Sequence, residues 1–303
     1  MPPLRPPFKR QEYIPQKPKS FEELVFDEVK NELSPEEIRA FDLLVKKRLS
    51  QKPAMKDFDY KDIEEDEKRL AQKKKEAGQN NSRVEKINYI RVKIFEALLS
   101  ELMELHWFPE VFITETSDFD DWINGVDAVF EGQSRAAIVD FTSAKDKSVL
   151  RKKINIIFEK IDRGGLGRVK YFQSQTESGK RMHLDNLPAL IFGIDTKTLL
   201  ELARLRLENK KKELENHWAR HAIAEEFIAQ IKVFKSYINN PNRRNYNPAK
   251  AREMSRAYED IEEEIMKFKQ KISQGQDKEL GDKIRVKLRE KDLVYKGLME
   301  SLA

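Results

Sequence analysis

The chain contains no cysteine, which excludes disulfides, thiolate zinc sites and cysteine nucleophiles and leaves the redox compartment open. It also lacks any apolar run near the roughly 18 residues that a membrane-crossing helix requires. The opening MPPLRPPFKRQ has no apolar stretch of the secretory kind, so a cytoplasmic protein without a membrane partner is expected. No internal repeat is visible. Excess charge is scarce too: 58 Lys and Arg stand against 53 Asp and Glu, a formal net charge of +5. What is present in quantity is charge of both signs, 37% of residues, beside 39% hydrophobic residues. That balance suits a packed core with a densely charged exterior, and 303 residues suit one large domain or two modest ones.

Distribution says more than the total. Between Ala144 and His183 there are 11 Lys and Arg against 4 acids. A concentrated basic stretch suits a polyanion, because each neutralised phosphate releases condensed counterions. The plainer reading is a solvated face.

Four regions follow from pattern. Residues 1–20, rich in proline and basic side chains, read as a flexible arm. Residues 21–82 read as an N-terminal helical region, in which Ser34-Pro35-Glu36-Glu37 has the form of a capping box with proline at the first helical position. Residues 83–196 read as an α/β core and residues 197–303 as a charged helical region. In the core, a long helix over about 83–106 is apolar around a wide arc, which predicts burial between layers. Strands are expected at Glu110–Thr116, Val126–Glu131, Arg135–Thr142, Arg168–Ser174 and Ala189–Ile194, with a helix over Ser148–Arg163. The fold class is therefore α/β, a mixed sheet flanked by helices, with helical extensions at both ends.

Two acids stand out in GVDAVFEGQSRAAIVDFTSAK, residues 125–145. Asp127 and Asp140 lie one on each strand of a hairpin, among residues that ordinarily exclude carboxylates. A buried acid is costly unless a cation, a proton or a lysine compensates, and a divalent metal with oxygen ligands is one natural partner.

The order helix, strand, strand, strand, helix, strand, together with Asp127 and Asp140, resembles the PD-(D/E)XK nuclease superfamily, whose fold is the restriction-endonuclease-like one. The resemblance covers about Arg83 to Ile194. It implies a divalent-metal-dependent nuclease acting on DNA or RNA, with Mg²⁺ or Mn²⁺ held by Asp127, Asp140 and an acid of the first helix. Glu96 is preferred for that acid, because its distance from the first strand suits the family, and Glu101 is the rival. The family's lysine, two residues after the second acid, is replaced by Thr142, so Lys145 is expected to supply it; Lys147, Lys152 and Lys153 on the next helix are within reach as well. Nucleic acid is expected to lie along Lys147, Arg151, Lys152, Lys153, Arg163, Arg168 and Lys170. The loss at Thr142 also admits two inactive alternatives: a nuclease fold that binds without cutting, or an assembly protein whose C-terminal helices make homo-oligomer contacts.

Other features have plainer readings. His217 and His221 have a zinc-like i, i+4 spacing but lack the further ligands. Gly164-Gly165-Leu166-Gly167 reads as a helix stop before it reads as a phosphate loop. Arg243-Arg244-Asn245-Tyr246 reads as a solvated loop before a nucleic-acid contact. Asp118-Phe119-Asp120-Asp121-Trp122 reads as a capping turn just before the hairpin, with Asp120 or Asp121 as the acids that could sit near the metal.

Overall fold

The computed structural model describes residues 19–108, 110–132, 135–142, 147–177, 179–273 and 292–302. Residues 1–18 of the expected proline-rich arm, the turn residues 133–134 and Lys145 lie outside the described residues, while Ser20, expected in the arm, caps α1. The helices are α1 (Phe21–Val29), α2 (Pro35–Ala40), α3 (Lys46–Gln51), α4 (Ile63–Asn80), α5 (Arg83–Leu102), α6 (Lys147–Asp162), α7 (Thr196–Leu207), α8 (Lys211–Glu215), α9 (Ala219–Ile238), α10 (Pro248–Ser273) and α11 (Leu293–Leu302). The strands are β1 (Phe112–Glu115), β2 (Ala128–Glu131), β3 (Ala136–Thr142), β4 (Gly167–Gln173), β5 (Arg181–Leu187) and β6 (Ala189–Gly193).

Local chemistry starts these elements. Ser34 Oγ accepts from the Glu37 amide at 3.1 Å while the Glu37 carboxylate accepts from the Ser34 amide at 2.7 Å, closing the capping box ahead of Pro35. Ser82 and Glu85 start α5 the same way, at 3.3 and 2.6 Å. The apolar arc of α5 is buried through Ile90, Ile94, Phe95, Leu98, Leu99 and Leu102. Val92 and Leu105, expected to be part of that arc, are exposed instead. For Leu105 the cause is the wider π-type turn Met103–Trp107, which rotates later side chains away from the α-helical phase.

The main sheet has the order β1-β2-β3-β6, antiparallel across β1, β2 and β3 and parallel between β3 and β6. The mixed sheet between helices expected from the sequence is thus present. One face, through Ala128, Phe130, Ala137, Val139 and Phe141, packs into the main core with α5 and α9; Phe95 meets Phe141, and Phe130 and Phe192 both meet Phe227, edge-on or tilted. The other face, through Val129 and Ile138, is covered by Val169, Phe172 and Leu187.

That cover is a separate hairpin, β4 with β5, inserted between α6 and β6. The strand expected at Arg168–Ser174 therefore does not join the main sheet. The four-residue glycine cluster serves this connection. Gly164 ends α6 at φ +76°, where a side chain would be strained, and its amide donates to the Ile161 carbonyl at 2.9 Å. At Gly167 a Cβ would stand 1.9 Å from Ile138 Cδ1, so only glycine lets β4 lie this close to the sheet. The charged helical region after residue 196 begins as α7, α8 and α9, with a break at Asn209, φ +57°.

Candidate functional site

The antiparallel register pairs Ala128 with Val139 and Val129 with Ile138. Continued by one residue, it sets Asp127 across from Asp140, on the face shared with Val129 and Ile138. The Phe141 amide donates to Asp127 Oδ2 at 2.8 Å and holds that side chain over β3. Asp140 forms an ion pair with Lys153 of α6, whose Nζ also lies 3.4 Å from the Phe141 carbonyl. Thr142, two residues beyond Asp140, points to the same face, so the ammonium expected there by resemblance arrives from the helix instead.

The choice between the two helix acids is visible in their partners. Glu96 is electrostatically coupled to Asp127; Glu101 is buried elsewhere, ion-paired with Arg206 of α7 and with Lys47 at 3.6 Å. Glu101 is a packing ion pair, away from the aspartates. Burial, then Glu96 and Asp140, push the Asp127 carboxyl well above its ordinary range. Burial, opposed by Lys93, raises Glu96 to about 7. Glu115 at the end of β1 is also raised, again mainly by burial. Burial thus outweighs the cations beside these carboxyls, Lys93 at Glu96 and Arg48 at 3.4 Å from Glu115.

Two lysines not singled out in the sequence enter this cluster. Lys93 of α5 lies 2.8 Å from Glu96 Oε2 and 3.2 Å from Asp121 Oδ2. Lys52 lies 2.9 Å from the same Asp121 oxygen and 3.0 Å from Asp118 Oδ1. Burial opposes charge on Lys52, yet Asp121 and Asp118 raise its pKa. The signal was available: Lys93 and Glu96 are three apart on one helix, the spacing of facing side chains. Asp120, by contrast, is spent on structure. It accepts from Ser117 Oγ, Asn124 Nδ2 and the amides of Lys170 and Tyr171 at 2.7–2.9 Å, tying the turn before Asp127 to β4.

The donor set fits a hard divalent cation in kind: oxygens only, from three elements, with mutual repulsion that added positive charge relieves. As the side chains stand, no three His, Asp or Glu groups among the described residues converge to hold a metal. Glu96 and Asp140 are each turned onto a lysine.

The basic residues expected along nucleic acid divide. Arg151, Lys152, Arg163 and Arg168 are exposed, whereas Lys153 is taken by Asp140 and Lys170 by Asp62 and Asp66. Lys147 opens α6, and its side chain lies outside the described residues. Arg168 instead lines a cavity of about 430 Å³ with Asp62, Arg69, Phe119 and His183. A groove of about 630 Å³, lined in part by Lys46, Lys56 and Lys74, opens on Lys52 and Asp118 beside the acid cluster.

Two further features are structural. Arg243, almost wholly buried, donates to the Ile238 and Ile161 carbonyls at 3.2 Å each, so it is no solvated loop cation. His217 is buried with Nδ1 accepting from the Ala219 amide at 3.2 Å, and burial lowers its pKa. Among the described residues no helix is long and apolar enough to cross a membrane. Compared with protein-family models, with curated proteins and with solved structures, the chain matches none.

Proposed function

We propose that the chain is a divalent-metal-dependent nuclease of the PD-(D/E)XK type, acting on DNA or RNA. The observation that carries this reading is Asp127 set across from Asp140 at one end of a mixed sheet, with Lys153 paired to Asp140. The order α5, β1, β2, β3, α6 and β6 around these residues supports the reading, with the β4–β5 hairpin inserted between α6 and β6. Asp127, Asp140 and Glu96 would hold Mg²⁺ or Mn²⁺, which when bound lowers the pKa of a water and offsets charge on the phosphate. Lys153 takes the part expected of Lys145: an ammonium beside Asp140, placed to orient the attacking water and to face the scissile phosphate. Arg151 and Lys152, exposed on the same helix, hold the phosphate backbone without reading sequence.

The test is incubation of the purified chain with mixed DNA and RNA and Mg²⁺ or Mn²⁺, beside Asp140→Ala. Cleavage is expected to fall by at least about 10²-fold in the variant. Cleavage that survives the substitution, or none under any condition, overturns the catalytic reading.

One observation favours a second reading. The acids of the cluster are already partly neutralised by Lys52, Lys93 and Lys153, as in a nuclease fold that has become a binding or assembly scaffold. Retained nucleic-acid binding without cleavage, or a stable oligomer by light scattering, is its signature.

A further inference from the structure

Lys93 occupies the position from which a cation would compensate the acids of α5 and the turn before β2. Its side chain is only 11% exposed and its ammonium bridges Glu96 and Asp121. The two acids are not equally dependent on it. Asp121 Oδ2 also holds Lys52 at 2.9 Å, so it keeps an ammonium if Lys93 moves. Among the described residues no other basic side chain is ion-paired with Glu96. The Tyr89 ring, with its centroid 5.8 Å from Lys93 Nζ, gives the ammonium a second favourable surface near the Asp121 side.

We propose that Lys93 is a resident counter-ion that holds Glu96 away from the Asp127–Asp140 pair and releases it to a divalent cation. The inference rests on the metal reading above and adds to it a competitor built into the chain. An ammonium supplies one charge and three donors; a divalent cation supplies two charges and takes several oxygens at once. Exchange leaves Lys93 on Asp121 and frees the Glu96 carboxylate to turn toward Asp127. The competition explains why the three acids are charge-coupled yet do not converge. Lys93 is in this sense a positioning residue: it acts on the metal site through Glu96 and sets how much free metal the site requires.

The experiment is calorimetric titration of the full chain with Mn²⁺ alone, for wild type, Lys93→Met and Asp140→Ala. Lys93→Met is expected to bind Mn²⁺ at least about tenfold more tightly than wild type, because the competing charge is gone. Asp140→Ala is expected to bind more weakly. Equal or weaker binding by Lys93→Met, with wild-type binding intact and lost in Asp140→Ala, overturns the role of Lys93 and leaves the metal reading standing. No Mn²⁺ binding by wild type or Lys93→Met overturns both.

A readout on the unaltered protein guards against a misfolded variant. Acetylation by N-hydroxysuccinimidyl acetate, followed by mass spectrometry, is expected to label Lys93 several-fold faster with saturating Mn²⁺. Lys52, which keeps Asp118 and Asp121, serves as the internal reference. Lys93 labelling that Mn²⁺ leaves unchanged relative to Lys52 overturns the displacement.

Discussion

At one end of β2, Glu131 accepts from the hydroxyls of Thr114, Ser174 and Thr176 and from the amides of Gln175 and Thr176. Just ahead of the other end, Asp127 accepts from the Phe141 amide, lies across from Asp140 and feels the negative charge of Glu96. Burial acts against charge on both, but the donors around Glu131 prevail and lower its pKa, while the neighbours of Asp127 add to burial and raise it. One acid is therefore a fastening between the sheet and the end of the β4–β5 hairpin. The other is a buried carboxyl whose charged form is disfavoured by its surroundings. Strained electrostatics of this kind is common at functional sites.

Substitution separates the two ends. Glu131→Ala strands several buried donors and is expected to lower unfolding stability by about 2–4 kcal/mol, measured by urea denaturation. Asp127→Asn keeps an oxygen for the Phe141 amide while removing a disfavoured charge. It is expected to raise the urea midpoint and to abolish any Mn²⁺-dependent cleavage. A destabilised Asp127→Asn would show that this carboxylate is also a fastening.

Protonation gives a smaller contrast with opposite slopes. Glu96 is raised from 4.5 to about 7, so between those values the folded chain binds more protons than the unfolded chain. In the absence of metal, stability is accordingly expected to fall, by at most about 3 kcal/mol, as pH rises from roughly 4.5 to 7. Glu131 behaves conversely: its contribution is complete above the ordinary carboxylate range and is lost as pH falls through its depressed value. Thermal melts of Glu96→Gln should show a shallower neutral slope and keep the acid limb; an unchanged neutral slope would assign it to the other raised carboxyls, Asp127 and Glu115.

Much of this architecture was legible because local signals coincide with the long-range result. Ser34 and Glu37 cap a helix by themselves, and the alternation of β3 predicts which residues join Asp140 on one face. The hairpin strand β5 escaped notice although Met182 and Leu184 alternate with exposed Arg181, His183 and Asp185. Its inner residues are too few to outweigh the charges. Glu96 and Glu101 are indistinguishable by periodicity, since both stand on a helix packed on several sides. Only Arg206, 105 residues further along, removes Glu101 from the site. Lys153 was one of several basic residues on α6, and its selection depends on how that helix leans over β3, which no local pattern encodes.

That lean has a distant determinant. Arg243 grips the Ile161 carbonyl at the far end of α6 and the Ile238 carbonyl at the end of α9, and lies 3.5 Å from Asp162. Helix α6 is a stiff rod, with Lys153 near its middle and this clamp at its C-terminal end. The aim of the ammonium is therefore calibrated by a side chain that never approaches the acids, and drift at residue 243 would detune the centre while leaving each of its own residues in place.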